Sequence, residues 1–331
     1  MIPQISVIIP AYNTANYIGQ AIESVLGQTY HNIEVIVVDD ASTDATAEVA
    51  QKFVDERLKV IINQKNSGVS YSRNRALREA KGTWIALLDS DDWFAPKRLE
   101  KLLQVAQAEG ADLIADDLYL IRDDEKSPWS TLLRESEVNI NTNTLIDPVS
   151  FIKTDLPSEK GVSFGQTKPL IKRQFLLDKG IKYDENLRAG EDFTLYLKCL
   201  IEQARFVVVP KPYYFYRNRQ NSLGQRTPIT YLNQSREITL NFLQDKTVRQ
   251  NSDVVKALSQ NLEAFSKNIA YYQVVEPLKQ KNLWLTVIKM IDYPYFFIHL
   301  LRKFPIILYR RIQYYFLRNK NVMYKNPFFQ K

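Results

Sequence analysis

Thr83-Trp84-Ile85-Ala86-Leu87-Leu88 runs directly into Asp89-Ser90-Asp91-Asp92, and the reading of this stretch decides the fold. A short apolar run closed by three acids in four residues reads as a buried strand ending in a strand-to-helix turn, with Trp93, Pro96 and a helical pattern behind it. On its N-terminal side, Gly82 is expected to stop a helix over about Ser70 to Ala80, at a place where a left-handed residue is commonly needed. Leu58 to Ile62 forms a strand before the loop Asn66-Ser67-Gly68. Ile33 to Val38 forms another, which runs into Asp39 and Asp40, and Ser42 or Asp44 caps the helix that follows. Ile5 to Pro10 is the first buried strand, after which Tyr17, Ile18, Ala21, Ile22, Val25 and Leu26 fall at helical spacing. Strands and amphipathic helices thus alternate over the first 120 residues, the pattern of an α/β sheet with helices on both faces.

Toward the C-terminus, Tyr119 to Leu145 is polar and irregular. Helical patterns resume after Pro148 and continue up to a short strand, Phe206 to Val209. From Thr230 onward the chain reads as mostly helical, with no repeat and no low-complexity tract. The expected organisation is an α/β domain over residues 1–225 and a helical, basic and aromatic region over 226–331.

The chain has 331 residues, 45% hydrophobic and 24% charged, which excludes a disordered protein and allows a large core. Its single cysteine, Cys199, excludes an intrachain disulfide, and no secretory pattern precedes Ile5; a reducing, cytoplasmic location is the expectation. The net charge of +7 is uneven: from Lys289 to Lys331 nine Lys or Arg stand against one acid, Asp292. Basic tails favour anionic partners. Bulky aliphatic and aromatic residues interleave with these charges, which favours the inner surface of a membrane over nucleic acid, and no reader motif for nucleic acid is present. No run reaches the ~18 apolar residues of a spanning helix.

Open α/β sheets bind ligands in the crevice beyond the carboxyl ends of their strands, and the acids lie at those ends. Three carboxylates as close as Asp89, Asp91 and Asp92 repel one another unless a cation neutralises them. Magnesium or manganese suits such oxygen donors together with phosphate oxygens; the alternative is a solvated, helix-capping turn. Asp39 and Asp40, at the end of another strand, can accept hydrogen bonds from a base imide or ribose hydroxyls, or can cap a helix. Arg73, on the helix after Gly68, can reach the same pocket as a charge partner. Glu191-Asp192 opens the helical pattern Phe193, Tyr196, Leu197, Leu200. Acids in a first helical turn complement the dipole, but a carboxylate partly desolvated beside a hydroxyl also serves as a general base.

These residues resemble the family 2 glycosyltransferases, which have the GT-A fold. The resemblance rests on five motifs in the family's order: Ile5-Ser-Val-Ile-Ile-Pro-Ala-Tyr-Asn13, Val37-Val-Asp-Asp-Ala-Ser42, Asn66-Ser-Gly68 with Arg73-Asn74, Leu88-Asp-Ser-Asp-Asp92 and Gly190-Glu-Asp192. It covers about residues 3 to 220. It implies a Rossmann-like mixed sheet flanked by helices, with a nucleotide-sugar half over 1–120, an acceptor half over 121–225 and a mostly helical C-terminal extension. It also implies an inverting, metal-dependent transfer from a UDP-sugar, or another nucleotide-diphosphate sugar, to a hydroxyl of a glycan or lipid-linked acceptor. Pro10, Ala11 and Tyr12 would line the base pocket with Gly68 nearby, and Asp40, with Asp39 the second choice, would hold the uracil. Arg73 would lie near the base. Asp89 would contact the ribose or a metal-bound water, beside Ser90. Asp91 would ligate the metal. Asp192 would be the catalytic base, with Glu191 supporting the acceptor side.

Many relatives carry a metal-ligating histidine late in the fold, where this chain reads Tyr216-Arg217-Asn218-Arg219-Gln220-Asn221-Ser222. Arg217 or Arg219 is the candidate for direct contact with the diphosphate. His31 and His299, the only histidines, read as surface or interfacial residues. From Trp284 to Phe316 aromatic and aliphatic residues alternate with Arg302, Lys303, Arg310 and Arg311, a pattern that fits a helix lying in a membrane headgroup layer or one packed on protein. The rival classes are a non-catalytic sugar-nucleotide-binding or scaffold protein of the same fold and a nucleotidyltransferase. The second lacks its glycine-rich, lysine-bearing loop, since that position reads Ala11-Tyr12-Asn13-Thr14.

Overall fold

The computed structural model describes residues 2–123, 125, 127–136, 138–155, 164–219 and 228–315. They divide into two compact units, one of residues 2–151 and 164–219 and one of residues 152–155 and 228–315. The first unit is built on a ten-stranded mixed sheet. Its centre is β1 (Ile5–Ala11), every residue of which is buried. Parallel neighbours flank it on both sides, β2 (Ile33–Asp39) and β4 (Trp84–Leu87), and β3 (Leu58–Ile62) pairs in parallel with β2. A strand with neighbours on both edges and helices on both faces has no solvent side, so its sequence reads as an unbroken apolar run. Helix α1 (Ile18–Leu26) covers the sheet with Ile18, Ala21, Ile22 and Val25, the stripe that its spacing predicts.

The helix after β2, α2 (Thr46–Gln51), takes Asp44 rather than Ser42 at its start: Asp44 accepts from the Thr46 backbone N–H at 3.0 Å. Helix α3 (Val69–Glu79) follows β3, and it ends without the left-handed residue expected at Gly82. Gly82 instead lies against β1, donating its N–H to Ser6 Oγ at 2.8 Å, and a Cβ on it would sit 2.5 Å from the Ser6 backbone nitrogen. The glycine is required by close approach of two backbones.

Beyond β4 the sheet becomes mixed. The order continues through β9 (Leu170–Lys172), β6 (Leu113–Arg122), β10 (Phe206–Asn218) and β5 (Trp93–Phe94), with β9 antiparallel to both of its neighbours. Helix α4 (Arg98–Glu109) leads into β6. The stretch read as irregular holds the end of β6, the two-residue β7 (Ser130–Thr131), α5 (Leu132–Glu135) and the start of β8 (Thr144–Ile146). Two further expectations are corrected. β9, three residues long, is too short to carry a period, and it interrupts the stretch after Pro148 whose pattern is helical. The strand expected over Phe206–Val209 runs on to Asn218, because β-bulges around Pro212 absorb prolines that would otherwise end the pairing.

Helices α6 (Pro148–Thr154), α7 (Arg173–Asp178) and α8 (Glu191–Ile201) complete the elements up to β10. The second unit is helical, as expected: α9 (Pro228–Gln244), α10 (Lys246–Arg249), α11 (Ser252–Lys279), α12 (Leu283–Asp292) and α13 (Tyr295–Tyr315). Its core gathers Leu232, Phe265, Tyr271, Tyr272, Val274 and Phe296. Among the described residues no helix is long and apolar enough to cross a membrane.

Gly82→Ala is expected to destabilise the fold by about 1–3 kcal/mol, since the clash is with backbone that has no rotamer to yield. A urea midpoint equal to that of the native chain would show that β1 moves freely.

Candidate active site

At the carboxyl end of the parallel strands, Pro10 and Ala11 are buried at the tip of β1 and Tyr12 is exposed just beyond them. Asp39 and Asp40 are both buried, but they serve different ends. Asp39 accepts from the Ser42 backbone N–H at 3.0 Å and from Ser42 Oγ at 2.5 Å, closing the turn in which Ala41 has φ 57°. Asp40 accepts from Asn63 Nδ2 at 2.6 Å, Ser67 N–H at 3.0 Å and Gly68 N–H at 2.7 Å. It therefore shapes the loop that launches α3. Gly68 has φ 95°, and the place of its missing Cβ is taken by the guanidinium of Arg188.

Arg73 projects from α3 into the centre of the unit and is 2% exposed. It is the charge partner that its place on α3 allows: its guanidinium donates to Asp89 Oδ1 at 2.9 Å, Glu191 Oε1 at 2.9 Å and Asp192 Oδ1 at 2.8 Å, and lies 5.1 Å from the ring centre of Tyr183. A second buried cation, Lys168, stands 2.7 Å from Asp192 Oδ2 and 3.0 Å from Asp89 Oδ2. The Tyr183 hydroxyl donates to Asp192 Oδ1 at 3.2 Å. Three carboxylates from two distant sequence motifs are thus held by two cations.

Burial works to raise Asp89, but Lys168 and Arg73 outweigh it and hold the carboxyl well below the usual range. Lys168 shows the converse: burial disfavours its charge, and Asp192 with Asp89 overcomes this and raises it. Glu191 is raised by burial and by the neighbouring Asp192. Lys168 is itself placed from below, since the fully buried Arg98 donates to the Lys168 carbonyl while ion-paired at 2.7 Å with the fully buried Asp116.

The rest of the acidic turn is tied to β10. Asp92 accepts from Tyr214 Oη at 2.7 Å and from the Arg217 N–H at 2.7 Å, and burial with Asp91 and Asp89 nearby raises its carboxyl well above the ordinary value. Ser90 is buried. Asp91 meets Arg219 Nε at 2.5 Å through Oδ2, and burial raises it despite that partner. Arg217 lies against the rings of Trp93 and Tyr17.

Among the described residues no group of three or more His, Cys, Asp or Glu is arranged to hold a metal ion. The donors present are hard carboxylate oxygens from Asp91 and Asp89, and a magnesium-like ion is ordinarily held by one or two carboxylates with substrate phosphates. The residues fit that chemistry. His31 is exposed, while the side chain of His299 and residues 220–222 lie outside those described.

Sequence reasoning missed Lys168, Tyr183, Tyr214 and Arg188. Lys168 sits in an aperiodic stretch, and nothing in the sequence around it distinguishes it from a surface lysine.

The comparisons with known proteins bear on the family and the fold. The model of the family described as "Glycosyl transferase family 2" matches residues 6–162. Succinoglycan biosynthesis protein ExoO of Rhizobium meliloti is 31% identical over 282 residues, 85% of this chain and 79% of that protein. ExoU of the same organism is 36% identical over 225 residues, covering 66% of this chain and 64% of that one. Among solved structures, Staphylococcus aureus TarS 1–349 in complex with UDP-GlcNAc superposes with a TM-score of 0.61 at 20% identity, over 88% of this chain and 91% of that one. Mannosyltransferase PcManGT from Pyrobaculum calidifontis, in complex with GDP-Man and Mn2+, gives 0.56 at 17% identity, over 89% and 82%. At these identities the two structures establish the likeness of fold.

Lys168→Met should cost about 3–5 kcal/mol at neutral pH, because it leaves buried carboxylates short of a partner. Asp89, depressed in the native state, contributes stability above the ordinary carboxylate range and loses it as pH falls through its native value. The deficit of the variant should therefore shrink on acidification. Urea unfolding at neutral and acidic pH checks this, and a deficit that grows in acid would refute the ion-pair account.

Proposed function

The chain belongs to glycosyl transferase family 2 and is a glycosyltransferase; from that premise we propose that it moves a sugar, with inversion, from a nucleotide-diphosphate donor to an acceptor hydroxyl in polysaccharide or glycolipid biosynthesis. A UDP-sugar is the first choice of donor. The observation that carries the reading is the convergence of Asp89, Glu191 and Asp192 on Arg73 and Lys168 beyond the strand ends. The relatives named for succinoglycan biosynthesis support a polysaccharide product. The UDP-GlcNAc and GDP-Man complexes of the structural neighbours support a nucleotide-sugar donor, and the Mn2+ of one supports a metal.

In this reading Pro10, Ala11 and Tyr12 line the base pocket beside Gly68, and Asp40 receives the uracil imide, with Asp39 the second choice. One of the three donors now on Asp40 then has to give way. Asp91, with Asp89 beside it, would hold magnesium or manganese, which when bound supplies positive charge to the departing diphosphate. Residues 121–225 form the acceptor half, and residues 226–331 make a peripheral contact with the inner membrane face, where a lipid-linked acceptor would lie.

Asp192 takes the proton of the acceptor hydroxyl. The hydroxyl oxygen bonds to the anomeric carbon as the bond to the diphosphate breaks on the opposite face, so configuration inverts and no covalent enzyme intermediate forms. Both oxygens of Asp192 are engaged, so one partner has to leave first. Lys168 is that partner, a point charge on a flexible stem, whereas the Arg73 fork is fixed by three carboxylates. Turned toward the diphosphate, Lys168 frees Oδ2 and adds positive charge where negative charge grows.

Release of UDP from a panel of UDP-sugars with manganese or magnesium tests the proposal. Asp192→Asn should lower kcat by about 10²–10⁴-fold, and Asp91→Ala should abolish the metal dependence together with most of the rate. If no sugar nucleotide is bound or turned over with glycan and lipid acceptors supplied, the catalytic reading is lost.

A further inference from the structure

Helices α12 and α13 each bury one stripe against the second unit's core and leave the opposite stripe uncovered. The buried side is Thr286 and Met290 on α12, and Phe296 and Leu300 on α13. On the other side Trp284 is 78% exposed, Ile291 74% and Leu301 75%, with Val287, Phe304 and Leu308 also exposed. Of the twenty large apolar side chains exposed among the described residues, thirteen lie between Leu283 and Ile312. They recur at helical intervals, so they form stripes and not scattered residues. An apolar face of this extent marks a contact surface.

The charges identify the occupant. From Lys279 to Arg311 seven Lys or Arg stand against one acid, Asp292, which already faces Lys289 at 3.3 Å. A second copy would oppose like charge to like charge. An anionic bilayer takes the apolar stripes into its acyl boundary and meets the lysines and arginines with its headgroups. Trp284 and Tyr309, both exposed, are of the kind that settles at that boundary. Pro305 and the interleaved charges make α13 unsuited to crossing.

We propose that the outer stripes of α12 and α13 are a docking surface for an anionic lipid bilayer, on which both helices lie in the plane of the headgroups. This rests on the membrane contact proposed above and gives it a face and a lipid chemistry; it does not depend on the transfer chemistry.

The full-length chain is sedimented with phosphatidylcholine vesicles and with vesicles that also contain phosphatidylglycerol. Binding is expected on the anionic vesicles, about tenfold or more weaker on the neutral ones, and weakened by salt. Trp284→Glu combined with Leu301→Glu should remove it, and Arg311→Glu should reduce it. These side chains are exposed, so UDP-sugar turnover in vesicle-free buffer, or a native unfolding midpoint if no turnover is found, should be unchanged and shows that the variants fold. Equal binding to both vesicle types, or salt-independent binding, overturns the anionic assignment. Absence of vesicle binding overturns the proposal in two distinguishable ways: a dimer dissociated by the double substitution assigns the face to a second copy, and a monomer assigns it to the chain's own residues. Turnover without vesicle binding sinks this inference alone, and vesicle binding without turnover sinks the transfer reading alone.

Discussion

The buried guanidinium of Arg73 is the constraint on which the rest of the site depends. Asp89 comes from the turn after β4 and Glu191 and Asp192 from the first turn of α8, and without a shared cation these carboxylates would repel. Arg73 can reach them because α3 starts where it does, and that start is fixed by Asp40 holding the Ser67 and Gly68 amides. A carboxylate at the end of β2 thus governs the meeting of acids from β4 and α8. Breaking any one link would leave a charge buried without its partner, which costs more than the pair contributes.

The cations do not balance the acids. Among the described residues Asp89, Asp91, Asp92, Glu191 and Asp192, five acids, face four cations, Arg73, Lys168, Arg219 and Arg217, the last of which donates to the Asp91 carbonyl and not to a carboxylate of these five, and burial together with neighbouring acids raises Asp91, Asp92 and Glu191. A site kept this short of positive charge stabilises positive charge that arrives or develops in it. Both the divalent ion and the electron-poor anomeric carbon of the proposed reaction answer to that description. The cations are shared unevenly: among the described residues Asp89 and Asp192 each meet both Arg73 and Lys168, whereas Glu191 meets Arg73 alone, Asp91 meets Arg219 alone, and the Asp92 carboxylate is held by a tyrosine hydroxyl and a backbone N–H.

Much of this was legible before any coordinates. β1, β2 and β4 are buried or nearly so, and their apolar runs, with the acids that follow β2 and β4, mark both the sheet and its functional edge. Lys168 was not legible, since nothing local distinguishes it from a solvated lysine; its role comes from Arg98, which holds its backbone carbonyl and is itself paired with Asp116 of β6. Arg73 was legible as a charge partner of the pocket but its three carboxylates were not, because the spacing that places it on α3 says nothing about how deep α8 brings its acids. Gly82 was given a turn role because helix stops are a sequence-local feature, whereas close approach to Ser6 is not.

The arginines on β10 show how a strand that looks broken in sequence sets the chemistry of the edge. Val209 pairs with Asp116 and Tyr214 with Leu118, so β10 uses five residues where β6 uses two. The three extra residues are an odd number, and side chains alternate along a strand, so without the bulges every residue beyond them would face the other way. With them, Phe215 stacks on Tyr119 and Trp93 and Arg217 lies over Trp93 from one face of the strand, and Arg219, just past its end, meets Asp91. Tyr214, on the opposite face, reaches Asp92 and packs against Phe94 and Arg98. The prolines that hide the strand from a periodicity reading belong to the irregularity that aims two arginines at the acidic turn.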